Sequence, residues 1–178
     1  MDKKEIKFYQ RLMSMGIDFY SLGIIMIPFF LIAWILDGKI KIFFMIFEFT
    51  LLFTLWLCKD LINGRSLGKR MVGHKLSSID NTNIIWKYIV RNIFTLIWPI
   101  EIIFCMINPS RRLGDLVFGT QVTSAEEQER KSDTIHFQVK AIILNFIVTF
   151  LIVLVITSII WYLIQSLNNP MIKLLFYS

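Results

Sequence analysis

Histidine and cysteine are nearly missing from this chain, two of each in 178 residues, and their scarcity removes several chemistries at once. His74 and His136 stand apart from each other and from Cys58 and Cys105, so no zinc-type ligand set forms. Neither cysteine belongs to a CxxC; both lie in apolar stretches and read as small core hydrophobes. No Ser/His/Asp arrangement or HExxH pattern is present, and Glu48 and Glu101 have neither nucleophile nor metal to form a hydrolytic pair. The sequence therefore carries no enzymatic reading and calls for no cofactor. Charge is also scarce, 18% of residues against 56% hydrophobic with 16 Phe, which points to a bilayer rather than a soluble core. One compact domain of about three or four hydrophobic elements fits this length, without a large extramembrane catalytic module.

The charges that are present sum to +6. Lys and Arg flank apolar spans instead of covering one soluble face, which argues for a topology signal and against nucleic acid. The apolar segment behind the N-terminal lysines is long for a signal peptide and has no small-residue cleavage site after it, so it is expected to stay as a first span.

Three segments are predicted to cross: 14–36, with Pro28 as a kink site; 42–58, which carries Glu48; and 141–164, a run of 24 uncharged residues. A fourth, 93–107, has only 15 residues and is interrupted by Pro99 and Glu101. A span needs about 20, so this segment is predicted to form a re-entrant or kinked helical hairpin. Charge counting agrees: a hairpin that returns leaves 16 Lys/Arg inside and 3 outside, whereas a crossing gives 12 and 7. Segments 72–79 and 119–124 alternate loosely and are β-branched, and are expected to pair as a small cytoplasmic ribbon. Asp80 to Asn83 supply the N-cap for a helix from Ile84, with Lys87 and Arg91 on one polar stripe. The fold class is thus an all-α integral membrane protein with three transmembrane helices, a hairpin and a two-stranded β element, its N-terminus cytoplasmic. No internal repeat is evident.

Arg11 and Asp18 are seven residues, two helical turns, apart at the head of the first span. They share a face, and Asp18 leans back toward Arg11. An acid just inside a span is costly and usually serves function or binds a neighbouring helix. A structural ion pair and a transport role are both open for Asp18. Asp115 follows Arg111 and Arg112 and is expected to fix the end of the hairpin by pairing with a local base or capping backbone donors, with a cytoplasmic gate as the alternative. Glu48 and Glu101 are ion-path candidates, Glu101 near the hairpin tip where backbone carbonyls are freed. Segment 64–70 resembles a phosphate loop, but its spacing is one residue short and Arg70 replaces the Ser/Thr. Its glycines fit tight turns, and Lys69 and Arg70 are expected to meet lipid phosphates or the aspartates. Arg91, Arg111 and Arg112 join them as lipid or phosphate contacts.

Arg11, Asp18, Ser66-Leu67-Gly68-Lys69-Arg70, Arg91-Asn92 and Asp115, in this order around apolar segments, resemble the RDD family of small bacterial membrane domains, named for one arginine and two aspartates. Arg11 matches the family arginine, Asp18 and Asp115 the two aspartates. The likeness covers 8–123, leaving a charged linker at 124–136 and a C-terminal helix and tail at 137–178. His74, Gly114 and Phe118 depart from the family pattern. The resemblance implies a bacterial inner-membrane domain engaged in solute or cation/proton transport; at 178 residues without inverted repeats, such a transporter is expected to work as a homo-oligomer. Two other readings stay open: an accessory subunit of a partner membrane protein bound through the last helix, and recognition of anionic lipids by the basic face.

Overall fold

The computed structural model describes residues 6–79, 84–124 and 139–167. The linker and the proposed Asp80–Asn83 cap therefore fall outside the described residues.

Three long apolar helices dominate: α1 (Phe8–Ile35), α2 (Gly38–Cys58) and α7 (Val139–Leu167). All three are long and apolar enough to cross a membrane. α1 runs unbroken through Pro28 and ends at Leu36-Asp37. Gly38 then turns the chain back at φ +61°, in the left-handed region that favours glycine. α1 and α2 consequently pack as an antiparallel pair, with Phe19 edge-on to Trp56 at 5.9 Å. α7 packs along α2, joined by the Thr50–Thr157 hydroxyl contact at 2.8 Å.

Between α2 and α7 the chain builds a cap at one end of the α1/α2 pair. Short helix α3 (Leu67–Val72) leads into β1 (His74–Ser78). α4 (Ile84–Arg91) continues through a 3-10 segment, Asn92–Ile97, to α5 (Trp98–Ile107). Pro99 stands at the start of α5, where its missing N–H leaves no intrahelical bond unmade. The two arms meet at 108°, which is the predicted kinked hairpin. α6 (Leu113–Val117) and β2 (Thr120–Ser124) follow. β1 and β2 pair antiparallel with Leu76 opposite Val122, so both arms of the hairpin start and finish at the same ribbon. Leu76 and Val122 form a small core with Tyr88, whose hydroxyl donates to the Leu76 carbonyl at 3.1 Å.

The cap contains a short repeat that periodicity alone did not reveal. Residue n in 66–78 corresponds to residue n + 46 in 112–124 without a gap, and Leu67/Leu113, Gly68/Gly114, Gly73/Gly119 and Ser78/Ser124 are identical. Each copy is a short helix, a glycine at positive φ and a five-residue strand with the same burial pattern. Each helix carries a glycine in its second position pressed against a neighbouring backbone carbonyl. A Cβ on Gly68 would stand 2.0 Å from the Ser14 oxygen, and one on Gly114 2.6 Å from the Arg91 oxygen.

Candidate functional site

These close approaches draw the charges flanking the spans into one buried ionic hub. Asp60, just past the end of α2, accepts from Lys69 Nζ, from Arg91 Nη2 at 3.1 Å and from Asn92 Nδ2 at 3.3 Å. Asp115, in the first turn of α6, accepts from Arg91 Nη1, from Thr120 Oγ1 at 2.8 Å and from the Arg112 backbone N–H at 3.0 Å. Arg11 adds a longer contact through Nη2 at 3.5 Å. Arg91 thus bridges the two aspartates, a task suited to the planar fork of a guanidinium. Arg112 donates to Glu101 Oε2 at 3.1 Å and to Asn92 Oδ1 at 3.5 Å. Asp18 accepts the Gly68 backbone N–H at 2.7 Å and lies 3.7 Å from Lys59 Nζ.

Burial opposes charge throughout the hub, and the outcome for each group depends on its neighbours. Burial alone would raise Asp60 and Asp115. The surrounding cations outweigh it: Lys69, Arg91 and Lys59 hold Asp60 well below the usual carboxylate range, and Arg91, Arg112 and Arg11 do the same for Asp115. Burial pushes the Lys69 ammonium down to about 7; Asp60 resists, while Arg91 and Arg11 add to the fall. Lys59 is lowered by burial against the pull of Asp18 and Asp60. Arg112 is the opposite case, since Glu101 and Asp115 overcome burial and raise it. The Lys69–Asp60 pair is therefore anchored from the carboxylate side: Asp60 gathers several cations, whereas Lys69 shares its anion with Arg91.

Arg11 and Asp18 do share a buried face of α1, but they do not pair with each other. The start of α3 sits against Ser14 between them, through Gly68, and sends Arg11 to Asp115 and Asp18 to Gly68 and Lys59. Glu101 is not a free oxygen donor at a hairpin tip; it is fully buried and held by Arg112. Lys69, Arg91 and Arg112 are not lipid contacts, because each is at most 2% exposed and committed to a carboxylate. Arg70 and Arg111 are partly accessible, with Arg111 3.4 Å from Gln121 Oε1. Asp115 caps the N-terminus of α6 and pairs with arginines, as its place after Arg111-Arg112 predicts. Reasoning from sequence missed Asp60, Lys59 and Thr120, and picked out Asn92 only through the family resemblance. The signal for Asp60 was an acid at the membrane boundary nine residues ahead of Lys69.

Glu48 stands apart from the hub. It is 2% exposed, its Oε1 has no hydrogen-bond partner, and it enters no ion pair among the described residues.

Comparison with protein-family models, with curated proteins and with solved structures finds no match for this chain.

Proposed function

We propose that the protein is an RDD-type membrane protein that moves protons or a small cation across the bilayer, with Glu48 as the exchanging group and the ionic hub as the fixed frame at the cytoplasmic end. The observation that carries this reading is the division among buried carboxyls. Asp18, Asp60, Glu101 and Asp115 each have at least one oxygen held by a cation or a backbone donor, while Glu48 enters no hydrogen bond or ion pair among the described residues. A buried ionisable residue in a span is costly, and uncommitted groups of this kind mark ion paths. The hub end gathers Lys59, Lys69, Arg70, Arg91, Arg111 and Arg112, which supports a cytoplasmic placement. Within the hub, Asp18 holds α3 against α1 at the entrance.

The test is proton flux in liposomes containing the purified protein, under imposed Na⁺ or K⁺ gradients. Wild type should dissipate a pH gradient, and Glu48→Gln should not. Absence of flux from folded wild-type protein would remove the transport reading. A second reading, an accessory subunit engaging a partner through α7, draws on the position of that helix: α7 packs on α2 and supplies no group to the hub. Under transport, flux survives removal of the chain from Ile135 onward; under the accessory reading, partner binding is lost with it while Glu48→Gln has no effect.

A further inference from the structure

Glu48 lies midway along α2, ten residues from each of Gly38 and Cys58. At about 1.5 Å per residue that is roughly 15 Å from either end, half the ~30 Å depth of a hydrocarbon core. Measured from Lys41, the last charge before it, Glu48 is about 10 Å into the span, and it is 2% exposed.

Its surroundings offer little to hold a metal ion. The hydroxyls of α2, and the α7 hydroxyl that meets them, are committed to their own helices: Thr50 Oγ1 donates to the Ile46 carbonyl at 2.7 Å, Thr54 Oγ1 to the Thr50 carbonyl at 2.7 Å, and Thr157 Oγ1 lies against Val153 and Thr50. No group of three or more His, Cys, Asp or Glu able to hold a metal occurs among the described residues. Hard cations need about six oxygen ligands. The inward stripe near the middle of α1 is Leu22 and Met26, and α7 carries no charge between residues 141 and 164. Lys41, the nearest cation along α2, is two helical turns before Glu48 and forms no ion pair with it, and Lys59, eleven residues after it, is beside Asp18.

A bare carboxylate without a cation or a donor is among the least tolerable groups in an apolar interior. A proton neutralises it with no further ligands. We infer that Glu48 is a proton-binding site within the membrane span, and that the species exchanged there is H⁺ rather than a metal ion. Its role in exchange rests on the proposed transport function; occupancy by a proton does not.

Dicyclohexylcarbodiimide, which adds to protonated carboxyls in apolar surroundings, tests this on the full-length protein in liposomes, with mass spectrometry locating the adduct. Labelling should fall on Glu48 at neutral pH, be unchanged by Na⁺ or K⁺, and be absent from that peptide in Glu48→Gln. Infrared spectra of the same samples should show a protonated-carboxyl band that Glu48→Gln removes. Protection by Na⁺ or K⁺ would overturn the inference in favour of a metal-ion site. Absence of both the adduct and the band would overturn it outright. Labelling without flux would keep the proton site and remove the transport reading, whereas loss of flux in Glu48→Gln without label or band would do the reverse.

Discussion

Asp18 accepts the backbone N–H of Gly68 at 2.7 Å, a bond that exists because Gly68 has no side chain to keep α3 away from α1. The Ser14 carbonyl oxygen would be 2.0 Å from any Cβ added there. Gly68→Ala must therefore move backbone, not a flexible side-chain tip. It should destabilise by at least the ~1–3 kcal/mol typical of overpacking, read as a lower melting temperature in detergent. Asp18→Asn keeps the shape and one acceptor and should cost less.

Arg91 supports the hub by spanning Asp60 and Asp115 at once. Lysine cannot reproduce a two-pronged bridge. Arg91→Lys should lower stability nearly as far as Arg91→Met does. Removal of one partner from a buried pair costs about 3–5 kcal/mol, and Asp115→Asn should fall in that range. A melting temperature close to wild type for Arg91→Lys would show that the bridge contributes little.

The pH dependence follows from the two hub aspartates. Both are held below their ordinary value of 3.8, so the folded state binds fewer protons than the unfolded state as the pH drops toward and below that value. Their contribution to stability is present above about 4 and is lost progressively as the medium becomes more acid. Lys69 has the opposite sense: its folded value near 7 lies under the ordinary 10.5, so the unfolded state holds the extra proton and stability rises from about pH 7 toward 10. Melting curves across pH should show both trends, and Lys69→Met should flatten the alkaline one.

The spans, the kinked hairpin and the ribbon were legible in the sequence, because length, hydropathy and β-branching act locally and the bilayer enforces them. The shared face of Arg11 and Asp18 was equally legible from helical spacing. Their partners were not. Which acid meets which base depends on where α3 docks, and that is set by the close approach of Gly68 to Ser14 and of Gly114 to Arg91. Asp60 looked like the end of a span because its partners Lys69, Arg91 and Asn92 are up to 32 residues away. Glu48 was visible as a charge within a span, but its lack of a partner emerges only once the other carboxyls have found theirs.

In the proposed mechanism the hub holds the fold while Glu48 exchanges the ion. Flux and melting temperature measured together on Glu48→Gln and Asp115→Asn test it most directly. Glu48→Gln should abolish flux at unchanged melting temperature, while Asp115→Asn should lower the melting temperature and leave flux in whatever protein remains folded. Full flux from Glu48→Gln, with flux lost in folded Asp115→Asn, would contradict it.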